Sequence, residues 1–345
     1  TEIITPPDGN DDDNDDDNNE EPVVKRGLFI TNEGNFTYGN ASLSYYDIDS
    51  KKVENDVFHR VNGAKLGDVA QSMAISGDYG FVVMNNSAKV EVIDKNTFKS
   101  VGKITGLTSP DRIHVAGDDK AYITDMYSTI VTAINLKTFE TTASIDLSIN
   151  AEPDSYVKSS TYGDNLFVYS WAYGKNIHSI NTKDNTQSNS IETDQQPISL
   201  VVDKNDKIWI ITDGGYPGSP NGYSAPTLCR IDAKTGTVEK TFEFTLGDYA
   251  SKACLNGTRD TLYYINKNVW KIPVNADKLP SEPFITPEEG SLFYGLTVDP
   301  KTSEVYVSDA LDYTEKGMVY RYDVSGKQID AFRVGIVPGS FCFKE

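Results

Sequence analysis

The sequence is poor in the residues that most enzyme chemistry uses. Three histidines, His59, His114 and His178, are spread over 345 residues, and no two share a motif. That is thin material for a metal centre or an imidazole base. Cysteine is as scarce: Cys229, Cys254 and Cys342 each sit in an apolar strand-like pattern without paired or metal-ligand spacing, so they read as buried free thiols rather than a disulfide framework. There is no GxSxG, no HExxH and no phosphate-cradling glycine loop. The stretch DGGYPGSPNG, beginning at Asp213, is glycine-rich but follows a strand without opening a helix, so dinucleotide binding is not expected. No apolar run is long enough to cross a bilayer as a helix. Neither a starting methionine nor a signal peptide is present, and Thr1 reads as a trimmed start.

Basic charge is also in short supply. The net charge is −19, and the first 24 residues supply ten acids and no base. Setting those ten aside leaves 41 acids against 32 bases, or about −9 for the rest of the chain. No cluster of Lys and Arg suggests nucleic acid, whose phosphates demand one. Residues 9–22, GNDDDNDDDNNEEP, contain no apolar side chain and cannot build a core, so residues 1–24 read as a disordered acidic tether ahead of one folded domain, 25–345.

What is abundant is short β-strand pattern. From Gln71 the chain runs SMAIS, a Gly77-Asp78 turn, GFVVM, the polar turn NNSA, then VEVIDKNTFKSVGKI: strand, turn, strand, turn, strand, Asp turn, strand. One such sheet cannot bury both its faces, and the remaining chain repeats it. An aromatic recurs on each second strand, at Phe29, Phe81, Tyr122, Phe167, Trp209, Tyr263 and Tyr306, with intervals of 52, 41, 45, 42, 54 and 43 residues. The turn after each third strand carries Asp49, Asp94, Asn135, Asn181, Asp232, Pro273 or Asp323, and an Asp or Asn there can bond backbone amides two residues on. Seven copies at about 45 residues predict an all-β, seven-bladed β-propeller with four-stranded antiparallel blades. No first strand precedes Phe29, but VPGSFCF at 337–343 matches the first-strand pattern, so the C-terminal strand is expected to complete the first blade and close the ring. No segment sustains a 3.6-residue apolar period over ten residues.

In such a ring the second-to-third-strand connections and those leading into the innermost strands share one face. Their aromatic and polar residues are the candidate ligand contacts: Phe36, Tyr38, Asn85, Asp111, Arg112, Tyr127, Asp154, Tyr156, Trp171, Tyr173, Gln196, Tyr216, Tyr223, Tyr249, Phe293, Tyr294 and Tyr313. Rings in polar loops suit a ligand platform, because Tyr and Trp offer large contact area with few rotors to freeze. Asn32, Asn85, Asn86, Asp125, Asp213, Asn266 and Asp309 gather at the ends of second strands, where they could ring a cation or simply build turns. The longest loop, 214–226, could be a lid or a stiff insertion. No catalytic residue and no metal ligand is singled out.

The repeats VEVIDKNTFKSVGKI, VTAINLKTFETTASI and LCRIDAKTGTVEKTF resemble the YncE-like family of seven-bladed propellers over practically the whole folded part. An acidic Asp/Asn-rich tether ahead of GLFITNEGNFTYGNASLSYYD looks like the surface lipoproteins of Bacteroides-type bacteria, closest in character to the BtuG type. That resemblance implies a non-enzymatic protein at the cell surface, anchored to the outer membrane through a lipidated cysteine upstream of Thr1. It implies cobalamin or a related corrinoid as ligand rather than cofactor, and a TonB-dependent transporter of the BtuB kind as partner. A propeller lactonase or lyase, or an adhesion propeller using its rim, remain the alternatives.

Overall fold

The computed structural model describes residues 25–147, 157–170, 172, 174–188 and 190–345, with backbone alone over 157–162. Seven antiparallel sheets follow one another along the chain, six of four strands and one of three. The first blade is completed from the far end of the sequence: Pro338–Lys344 pairs antiparallel with Gly27–Asn32 and becomes its innermost strand. Arg26 fastens this seam, its guanidinium bonding Asp299 of the seventh blade at 2.9 Å and Glu345 at 2.9 Å.

Each blade buries its faces against its neighbours, and the second-strand aromatics lie in those joints. The buried apolar residues form seven clusters, and each cluster holds one of the seven. Phe29 packs with Met73 and Val82 of the second blade, Trp209 with Leu262 and Tyr264 of the sixth, and Tyr306 with Leu28 and Tyr46 of the first, which carries the series round the seam. Phe29, Phe81, Tyr122, Trp209 and Tyr306 are fully buried. Trp209 Nε1 donates to Asp203 at 2.8 Å and Tyr122 donates its hydroxyl to Asn185 in the fourth blade at 2.6 Å, whereas the buried Tyr306 hydroxyl has no hydrogen-bond partner among the described residues.

The turns after the third strands are the expected Asx turns. Asp94, Asn135 and Asp232 each accept the amides two and three residues on, at 2.8–3.0 Å. In the first blade the acceptor is Asp47, two positions before the expected Asp49, whose own amide it binds.

The sixth blade departs from four strands. It has only Ser251–Leu255, Thr261–Asn266 and Asn268–Pro273, and an isolated Val269–Ile285 bridge stands where a fourth strand would run. Pro273, Pro280, Pro283 and Pro287 fall in that stretch, and a proline cannot donate to a ladder. A second departure is a six-residue helix, Val57–Asn62, that buries Val57 and Phe58 in the joint between the first and second blades. At this length it has no amphipathic period to read. No helix among the described residues is long and apolar enough to cross a membrane.

Candidate functional site

The two faces of the ring differ in what they expose. Among the described residues seven aromatic rings stand out into solvent, from Tyr223 at 38% exposure to Tyr38 at 74%; the others are Phe36, Tyr127, Tyr216, Tyr249 and Tyr313. All seven lie on connections of the one face predicted to collect them. Leu246 and Leu292, also exposed, approach the innermost strands of the sixth and seventh blades on that face. The face is thus broken by apolar contact area without being a continuous apolar sheet.

The loops that carry the rings are held rather than loose. Loop 213–226 forms a miniature hairpin, with a Gly215–Tyr223 bridge, a Ser224 amide donating to Gly214 O at 2.9 Å and Gln195 Nε2 donating to Gly222 O at 2.9 Å. Gly214 has φ +76°, and a Cβ there would fall 2.0 Å from Ser224 O, so the closure requires glycine. The stiff-insertion alternative holds for this loop. Asn35 Nδ2 reaches across the seam to Tyr313 O at 2.6 Å, and Thr37 N donates to Asp68 at 2.9 Å. Tyr313 in turn stands edge-on to Tyr294, with centroids 5.9 Å apart.

Four of the Asx residues at the second-strand ends hold loops by hydrogen bonds. Asp125 accepts the amides of Thr108 and Ser109, Asp309 accepts those of Leu292 and Leu311, Asp213 binds Gln196 and Gly215, and Asn266 donates to Asp248. Each ties a loop of its blade to the segment that feeds the same blade's innermost strand. Among the described residues no three His, Cys, Asp or Glu side chains gather in metal-ligand geometry.

Inside the face lies the central channel, a cavity of about 400 Å³. The sequence pattern alone does not show what shapes its wall. Six of the seven innermost strands carry a register shift near their start, which leaves one or two residues unpaired: Gln71, Asp111, Ile198, Lys252 with Ala253, Tyr294 with Gly295, and Gly339. A bulge of this kind re-aims its side chain out of the sheet. Gln71, Asp111, Ile198, Lys252 and Gly339 all line the cavity, with Arg112 and His114 next along the third blade.

Charges of both signs meet there. Tyr294 donates its hydroxyl to both carboxylate oxygens of Glu33, at 3.0 and 2.9 Å, and Lys252 Nζ lies 5.3 Å from the centre of the Tyr294 ring. Burial, reinforced by the Glu33 charge, holds the Tyr294 phenol well above its usual pKa, so it stays a neutral donor. Gly339 makes this pair possible, since a Cβ there would sit 2.3 Å from Glu33 Oε1. Burial, helped by the Arg112 charge, pushes the His114 imidazole down to about 3, leaving it neutral. The other titratable groups suit packing: burial raises the thiols of Cys229, Cys254 and Cys342, the last to about 12, and all three are free.

The predicted residues divide accordingly. Phe36, Tyr38, Tyr127, Tyr216, Tyr223, Tyr249 and Tyr313 reach solvent, Tyr249 also lines the cavity, and Asp111 and Arg112 stand in its wall. Asn85, Gln196 and Phe293 are buried instead. Asn85 donates to Pro110 O, Gln196 to Asp213, and Phe293 packs in the joint between the sixth and seventh blades, so their side chains are committed to holding loops and core. Asp154, Tyr156, Trp171 and Tyr173 lie outside the described residues. Glu33 and Lys252 were not among the predicted contacts. Glu33 directly follows a second strand, and Lys252 is the second residue of a first strand, a position that marks it only once the bulge there is known.

No curated protein matches the chain in sequence. Solved structures match it in fold. A quinonprotein alcohol dehydrogenase-like protein from Bacteroides thetaiotaomicron is 15% identical with a TM-score of 0.69, over 92% of this chain and 78% of that one. A functionally unknown protein from Desulfotomaculum acetoxidans is 10% identical with a TM-score of 0.68, over 92% and 98%. Hydrazine synthase from Kuenenia stuttgartiensis is 15% identical with a TM-score of 0.60, over 79% and 89%. At these identities the likeness concerns the propeller alone. The sequence profile described as "Domain of unknown function (DUF5074)" matches residues 26–338, and the chain belongs to that family.

Proposed function

We propose that the protein is a non-enzymatic capture protein that holds a wide, rigid, amide-fringed ligand of the corrinoid class on its loop face. The observation that carries this reading is that all seven aromatic rings exposed among the described residues lie on one face, around the mouth of a polar channel. Stiff rings on pinned loops lose little entropy when a rigid disc settles on them, which permits high affinity without chemistry. The polar collar beneath supplies donors and acceptors for amide groups. A corrinoid far exceeds the channel in volume, so the disc rests on the face and only its fringe enters. The resemblance of the repeats and the acidic tether to BtuG-type proteins supports the same ligand class. With it come display as a lipoprotein outside the outer membrane and transfer to a TonB-dependent transporter.

The test is direct. Purified protein mixed with cyanocobalamin and passed through a desalting column is expected to elute coloured, with a saturable heat in calorimetry. A colourless protein peak together with a flat calorimetric trace would overturn the corrinoid assignment.

A further inference from the structure

One side chain in the channel wall is left without the hydrogen bond its burial requires. Asp111 is 2% exposed, yet among the described residues its Oδ2 accepts no hydrogen bond. A buried carboxylate oxygen in that state is costly and calls for an explanation, and this one faces the cavity. Its nearest cation is Arg112, whose Nε lies 3.8 Å from Oδ2, beyond hydrogen-bond range. Strand geometry explains the vacancy. Asp111 is the unpaired residue of the bulge between Pro110 and Arg112, so the backbone aims its side chain at the cavity rather than at a strand partner. The Asp111 carbonyl is satisfied by the Ser72 hydroxyl at 2.6 Å, which anchors the bulge to the second blade.

The charges at this point already balance, one carboxylate beside one guanidinium. What is missing is an N–H donor for Oδ2, and what is available is a half-exposed guanidinium that can donate to an oxygen. A group offering both without net charge is a primary carboxamide, with its nitrogen toward Asp111 and its carbonyl toward Arg112. A carboxylate would set two anions against each other. An ammonium would satisfy Oδ2 but would bring a second cation against Arg112 and a larger desolvation cost.

We infer that Asp111 and Arg112 form a primary-carboxamide subsite in the channel. The group that fills it is either the pendant amide of a ligand seated on the loop face, which rests on the reading proposed above, or a free small amide, which does not. The cavity of about 400 Å³ accommodates either. The pocket discriminates by donor count: replacing the amide nitrogen with a carboxylate oxygen removes the only group that completes Asp111.

Two arms separate the sources. In the first, ligand-observed NMR titration compares nicotinamide with nicotinate, which match in shape and differ in this one group. The wild type is expected to prefer nicotinamide by at least tenfold, and Asp111→Asn to lose that preference. In the second, calorimetry with cyanocobalamin compares the wild type with Asp111→Asn and Arg112→Gln, with an expected loss of at least fivefold in affinity for each variant. The first comparison on the wild type needs no variant to fold, and melting curves of the two variants verify that they do. If nicotinamide binds selectively while cyanocobalamin does not bind, the subsite stands and the corrinoid reading falls. If cyanocobalamin binds with equal affinity to all three proteins and nicotinamide shows no selectivity, the subsite falls and the corrinoid reading stands. Absence of binding in both arms overturns both.

Discussion

The two faces of this propeller are made of the same four-strand unit and behave differently. On one face the turns after the third strands repeat almost without variation: an Asx side chain bonds the amides ahead of it, and among the described residues no aromatic ring is exposed. On the other, the second-to-third connections range from one residue, Lys267, in the sixth blade to fourteen, 213–226, in the fifth, and all seven exposed rings are there. Repetition marks what every blade needs in order to fold. Variation at fixed positions in the repeat marks what the ring was left free to specialise, because a loop outside the ladder can change length without breaking a joint.

The largest effect expected from this contrast sets scaffold rings against surface rings. Trp209→Ala, in the joint between the fifth and sixth blades, is expected to cost about 3–5 kcal/mol of stability. Tyr38→Ala on the loop face should stay within about 0.5 kcal/mol. Denaturant titration of both variants checks the pair, and similar losses in both would erase the distinction between the faces.

The next effect concerns binding. The combined variant Tyr127→Ala, Tyr249→Ala and Tyr313→Ala is expected to weaken cyanocobalamin binding at least tenfold, with only a small drop in melting temperature from the lost Tyr294–Tyr313 ring contact. Unaltered affinity in calorimetry would remove the loop face from the site.

A smaller loss is expected on the opposite face. Asn135→Ala removes an acceptor for two amides in an exposed turn and should cost roughly 0.5–1.5 kcal/mol with no change in ligand affinity.

The smallest effect belongs to the seam. Hydrogen bonds from Arg26, then from Lys301, lower the Glu345 carboxyl from 4.5 to about 2. A folded-state pKa below the unfolded one means that the seam stabilises fully above pH 4.5 and loses its contribution as pH falls toward 2. Glu345 is partly exposed, so the contribution is screened and modest. Melting curves from pH 7 to 2.5 should show the wild type and Glu345→Gln converging at the acid end; a constant gap would dismiss the seam as the source.

Much of this architecture was readable from residues alone. The second-strand aromatics such as Phe81 and Trp209 fall at blade-length intervals because every joint needs a large apolar filler at one place. The strand at 337–343 was recognisable because an unpaired first blade would leave an open edge. Blade six and the helix Val57–Asn62 were not readable: prolines hide a missing strand inside a repeat of ordinary length, and six residues carry no period.

In the site, the exposure of Tyr38 and Tyr127 followed from loop position and polar neighbours. The burial of Asn85, Gln196 and Phe293 did not, since a residue beside a loop faces either solvent or the next blade according to a backbone angle. Gln196 shows this directly with φ +59°, which turns its side chain toward Asp213.

The sequence by itself determined the number of blades, the closure of the ring and the face on which aromatic rings collect, because these depend on spacing and on the two-residue period of a strand. Only the tertiary structure decided which side chains meet in the channel. Asp111 and Arg112 are adjacent in sequence, but Glu33, Lys252 and Tyr294 come from three different blades, and the bulges at Asp111, Lys252 and Tyr294 are register shifts between paired strands. A register exists only when both strands are in place, so no single strand's residues encode it.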